Sequence, residues 1–118
     1  MKANILGTKY DIIKRNKEDD EYLKNNNYLG YCDFKDRKII FLNVDKAEYF
    51  KDNSEYSRKE TVKETLRHEI LHAFLFESGL NDSSLQIDGA WARNEEMIDW
   101  FAIQSPKIYK VYKDLDLL

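Results

Sequence analysis

Residues 65 to 76 read Thr65-Leu66-Arg67-His68-Glu69-Ile70-Leu71-His72-Ala73-Phe74-Leu75-Phe76, a run of strong helical character that contains His-Glu-x-x-His. Positions four apart on a helix lie one turn apart on the same face. His68 and His72 therefore fall within about 40° of each other and can aim two imidazole nitrogens at one metal ion. Glu69 follows about 60° beyond His72. From there its carboxylate can take a proton from a water that a zinc ion has acidified. The chain has two histidines, and both are in this motif. Random shuffling would give the spacing with a Glu after the first His roughly once in 700 orders, which argues against histidines that merely bond carbonyls inside a buried helix.

The helix is expected to open at Ser57 or Arg58, run to about Glu77 and stop at Ser78-Gly79, glycine being suited to the left-handed cap. Val62, Leu66, Ile70, Leu71, Phe74 and Leu75 leave its second half apolar almost all round, which predicts a helix buried at the centre of the domain.

A catalytic zinc takes three protein ligands and keeps one position open, so one ligand remains to be found. No third histidine exists and the lone Cys32 is remote in sequence, which leaves a carboxylate. Downstream lies Asn94-Glu95-Glu96-Met97-Ile98-Asp99. On a helix Glu95 shares a face with Trp91, Ile98 and Ala102, while Glu96 turns away with Arg93 and Trp100. The apolar face must pack, so Glu95 is the expected third ligand and Glu96 the alternative. Asp99, one turn on, is set to accept the free ring N–H of a ligand histidine. The competing reading of these acids is an exposed first turn favoured by the helix dipole.

Outward from this pair of segments, residues 3 to 14 suggest a strand pair or a bent strand around Gly7-Thr8. Arg15 to Asn27 is polar, a loop or short helix anchored by Tyr22 and Leu23. Tyr28 to Phe34 and Lys38 to Val44 form the strongest strand signal, a hairpin turning at Lys35-Asp36-Arg37. Asp45 to Ser57 is expected to be a loop with one irregular helical turn. Leu80 to Ile87 is a polar connection, a helix begins near an Asp88 cap and runs to Ser105, and Pro106 starts a short C-terminal helix.

The chain of 118 residues is expected to be one domain, 1-118. With 42% apolar and 35% charged residues it has a folded composition, and its net charge of -3 gives no footprint for nucleic acid or an anionic membrane surface. The longest apolar runs, Ile39 to Leu42 and Ala73 to Phe76, are four residues each, far short of a bilayer span. No apolar segment follows Lys2 to suggest a secretory signal, and Cys32 has no internal disulfide partner, so a reducing cytoplasm is the expected location and Cys32 an expected core residue.

His68-Glu69-x-x-His72 with Asn94-Glu95-x-x-x-Asp99 resembles the gluzincin arrangement of thermolysin-like peptidases. Glu95-x-x-x-Asp99-x-Phe101-Ala102 and the following Pro106 also resemble the small ImmA/IrrE-like metallopeptidases of phages and mobile elements. The likeness covers roughly residues 28 to 106, with Asp99 where that family commonly has asparagine. It implies Glu95 as ligand, Glu69 as base, a small sheet packed on the active-site helix, and a phage or prophage origin in a bacterial cytoplasm. In resembling zincins the substrate lies extended beside an edge strand, for which Lys38 to Val44 is the expected one.

The resulting expectation is an α+β minimal zincin-like domain: a small N-terminal antiparallel sheet, a central metal-binding helix and two C-terminal helices. It would be a zinc peptidase acting on a polypeptide, with His68, His72 and Glu95 on Zn2+, Glu69 as base and Asp99 behind a histidine. Regulation by a protein partner fits such an enzyme. The other class is a zinc-stabilised interaction or scaffold protein, against which stands Glu69, a carboxylate that a purely structural site does not need.

Overall fold

The computed structural model describes residues 1–82, 91–116 and 118. Strands and helices combine in an α+β fold, as expected. β1 (Lys2–Ile5) and β2 (Thr8–Arg15) are an antiparallel pair. Leu6 and Gly7 turn between them at φ 51° and 90°, the backbone hand that a two-residue hairpin requires. The polar segment after β2 does contain a short helix, α1 (Glu21–Asn26). Asp20 caps it by accepting the Leu23 amide at 3.0 Å, and Leu23 is fully buried. β3 (Gly30–Asp33) and β4 (Lys38–Leu42) form the expected hairpin. Its turn is fixed by Asp33 Oδ1, which accepts the amides of Lys35 and Asp36.

The strand order is β1-β2-β4-β3, with β2 and β4 parallel, Asp11 opposite Lys38 and Arg15 opposite Leu42. The sheet is therefore mixed rather than wholly antiparallel. β4 is interior, not the edge expected for Lys38 to Val44, and β3 is the edge. Side-chain alternation gives the reason. Ile39 and Phe41 join Ile5, Tyr10 and Ile12 on one face, while Ile40 and Leu42 join Leu23, Val44 and Phe50 on the other. A strand apolar on both faces loses most by lying at an edge.

α2 (Glu55–Glu77) crosses the first of these faces, bringing Val62, Leu66, Ile70 and Ala73 onto the sheet. It starts ahead of Ser57 because the Ser54 hydroxyl accepts the Ser57 amide at 3.1 Å. It ends at Glu77, before Gly79 at φ 76°. Only Glu69 and Ala73 of this helix are buried, and Phe74 is 37% exposed. α2 is thus covered on its sheet side rather than enclosed all round. Its end is tied down where the hydroxyls of Tyr10 and Thr8 donate to Glu77 at 2.7 and 3.1 Å, with Arg37 Nε at 3.4 Å.

The last element, α3 (Glu95–Asp114), is one helix where two were expected. Trp91–Arg93 form a single 3-10 turn, and Asn94 Oδ1 accepts the Met97 amide at 2.9 Å, so the helix opens at Glu95. Asp88 and the latter part of the expected connection lie outside the described residues. Pro106 sits within α3. It offers no N–H to the Ala102 carbonyl and crowds it, which ordinarily breaks a helix. Arg67 Nε of α2 donates to that carbonyl at 2.5 Å instead, and the helix continues. Among the described residues no helix is long and apolar enough to cross a membrane.

Candidate metal centre

α2 carries His68, Glu69 and His72 toward the start of α3, which carries Glu95 and Asp99. The two Nε2 atoms of His68 and His72 stand 3.1 Å apart. Glu95 closes the set, with Oε2 at 3.2 Å from His68 Nε2 and Oε1 at 3.3 Å from His72 Nε2. The two contacts end on different oxygens of Glu95, so its carboxylate faces the histidine pair with one oxygen toward each ring. A tetrahedral zinc with ligands at about 2.0–2.1 Å needs ligand atoms about 3.3–3.4 Å from one another. The 3.1 Å between the nitrogens and the 3.2 and 3.3 Å from each to a Glu95 oxygen are near that separation, and two imidazoles with one carboxylate would leave a position open. Glu96, the alternative, makes no such approach among the described residues.

Asp99 Oδ1 lies 2.7 Å from His68 Nδ1. An aspartate there accepts the Nδ1 proton and leaves the Nε2 lone pair facing Glu95 and His72. Glu95 and Asp99 are well exposed, 66% and 60% by side chain, whereas His68 and His72 are 20% and 13% exposed. Burial pushes the pKa of His72 down, with the Glu95 carboxylate pulling the other way, so burial favours the neutral imidazole that a metal requires.

Glu69 is buried at 7% exposure, and its Oε1 is 3.9 Å from His68 Nε2. Ligand atoms of His68, Glu69 and His72 all lie within 4.8 Å of one another, a group that could itself hold a metal ion. Glu95 stands closer to both histidines than Glu69 does to His68, which leaves Glu69 beside the other three. Burial lifts the Glu69 carboxyl to about 7, His68 lowers it, and Glu95 and Asp99 add to the rise.

The position of Glu69 depends on a residue that the motif does not include. At Gly30, the first residue of β3, an added Cβ would lie 2.8 Å from Thr65 Cγ2, 2.9 Å from the Ile40 carbonyl oxygen and 3.4 Å from Glu69 Cγ. Only a glycine lets the edge strand come this near α2. A glycine inside a strand pattern was the available signal for such an approach.

Two clefts, of about 540 and 460 Å³, share Gly30, His68 and Glu69. The larger is bordered by Tyr28, Phe34, Phe76, His72 and Glu95, the smaller by Leu29, Tyr49, Thr61 and Asp99. Together they make a groove past the histidines and along β3. Tyr31 also borders it, but its hydroxyl donates to Asp20 at 2.7 Å. Asn81 borders the larger cleft, is buried, and has an Oδ1 without a hydrogen-bond partner. Its place in a polar connection gave no sequence signal. Protein-family models, curated proteins and solved structures yield no match to this chain.

Proposed function

We propose that this protein is a zinc-dependent peptidase, with His68, His72 and Glu95 as the metal ligands and Glu69 as the general base. The observation that carries the reading is the approach of the Glu95 carboxylate to two Nε2 atoms 3.1 Å apart, one oxygen 3.2 Å from His68 and the other 3.3 Å from His72, beside the buried carboxyl of Glu69. Zinc, when bound, supplies Lewis acidity that brings a water near neutrality in its acidity and polarises a peptide carbonyl.

The protein's own groups do the rest. Glu69 takes the proton of the attacking water and delivers it to the leaving amine as the C–N bond breaks. Asp99 keeps the His68 proton on Nδ1, which holds the ring orientation through the reaction. Among the described residues the outer edge of β3 is unpaired, so an extended polypeptide can add to it as a further strand and lie across the groove. Backbone pairing of this kind asks little of the substrate's side chains.

A zinc-stabilised interaction protein is the alternative. It draws on the thin apolar contact of α3, whose approach to α2 a metal would clamp. Glu69→Gln separates the two, since it keeps shape and removes basicity. Parent and variant, both with zinc verified by elemental analysis, would be incubated with a bacterial lysate and new N-termini mapped by mass spectrometry. A peptidase should lose a factor of about 100 to 10,000 in rate, roughly 3 to 5 kcal/mol of barrier. Identical cleavage patterns would favour the interaction protein.

A further inference from the structure

We infer that Arg67 and Pro106 are a matched pair that positions the metal centre, Arg67 acting as a positioning residue by supplying the hydrogen bond that Pro106 removes. This rests on the metal-site reading above. Along the seam between α2 and α3, contacts follow one another in antiparallel order: His72 to Glu95, His68 to Asp99, and Arg67 to the Ala102 carbonyl. The first two belong to the metal site. The third contains no candidate ligand.

Ala102 is 2% exposed, so water cannot reach a carbonyl left open there. In a regular helix the amide of residue 106 would satisfy it, but proline has none and bends that carbonyl outward. Arg67 Nε fills the gap at 2.5 Å. A proline in α3 thus turns a bond that would be internal to one helix into a bond between two.

The rest of α3 gives little hold. Its described buried residues are Ile98 and Ala102, while Trp100, Phe101, Ile103 and Tyr109 are 43 to 59% exposed. Apolar burial alone sets neither the rotation nor the axial register of such a helix. Glu95 lies about two turns before Ala102, so a one-residue slip would carry its carboxylate off both histidines. The Arg67 bond fixes that register before a metal arrives.

The test is zinc affinity by competition with a chromophoric chelator, with melting curves of the metal-free proteins alongside. Arg67→Met should bind zinc about tenfold more weakly. Pro106→Ala restores the amide at residue 106 and should match the parent within twofold. The double variant Arg67→Met/Pro106→Ala should recover the parent affinity, because Ala102 again has a donor within its own helix. Ser105→Ala, which favours helix without supplying that donor, should not rescue Arg67→Met. If Arg67→Met lowers the melting temperature but leaves zinc affinity unchanged, or if Ser105→Ala rescues as well as Pro106→Ala, the positioning role is overturned and Arg67 is only a packing residue. A parent protein that takes up no zinc would overturn the metal reading itself, and this inference with it.

Discussion

Adding one methyl group at Gly30 probes the contact on which the site depends. In Gly30→Ala the new Cβ would meet Thr65 Cγ2 at 2.8 Å and the Ile40 carbonyl oxygen at 2.9 Å. Both distances are inside van der Waals contact. The carbonyl belongs to β4, the interior strand that pairs with β3, and Thr65 is a β-branched residue on α2, so neither yields freely. Overpacking by a methylene costs about 1–3 kcal/mol, and a backbone obstacle places this case at about 2–3. For a domain of this size 1 kcal/mol is worth about 4 °C, so the melting temperature should fall by roughly 8 to 12 °C. Thermal unfolding followed by circular dichroism, in chelator to hold metal constant, measures it. Thr65→Ser deletes the nearer obstacle, so the double variant should be more stable than the sum of the single effects by about 1 kcal/mol. A melting temperature within 2 °C of the parent, or strict additivity with Thr65→Ser, would refute the close approach of β3 to α2.

Glu95→Gln should lose zinc by elemental analysis while Glu96→Gln keeps it; the reverse result would move the third ligand to Glu96. Removing the carboxylate in Glu77→Ala strands the hydroxyl of Tyr10, a fully buried side chain, and should cost about 2–3 kcal/mol in chemical denaturation, with a loss under 0.5 kcal/mol counting against the knot that ties α2 to the sheet. Partial burial pushes the Cys32 thiol up to about 12, so alkylation at pH 8.5 should run at least about a hundredfold slower in the native protein than in urea, and equal rates would contradict that shift. The same shift has a sign in stability. The folded protein keeps protons on Cys32 and on Tyr31, which is pushed up to about 12, that the unfolded chain releases from about pH 9 and 10 onward. Stability should therefore decline as pH rises from about 9 to 12, and a flat profile in urea titrations would exclude this linkage.

Local regularities were legible in the residue order. A helix brings positions four apart together wherever it lies, so His68 and His72 could be paired from their spacing. The same reasoning chose Glu95 over Glu96, because Ile98 and Ala102 mark the face of α3 that packs. Their burial and the 3.2 and 3.3 Å approaches of Glu95 follow from that face. The hairpin of β3 and β4 was legible too, since turn residues separate two runs of strand-forming side chains.

Relations between distant segments were not legible in the same way. Strand order depends on which sheet face each neighbour covers; the run Ile39 to Leu42, apolar on both faces, favours an interior place but does not name β2 as the neighbour. The helix break expected at Pro106 rests on the loss of one backbone donor, and Arg67, in a different helix, replaces it. Gly30 announced a close approach but not to what; packing decided that Thr65 and Glu69 stand there. The sequence by itself determined which side chains share a face of α2 and of α3, because helical periodicity is a property of the local chain. The tertiary structure alone decided how near the edge strand and α3 come to them, because those distances are set by contacts whose partners the local sequence does not contain.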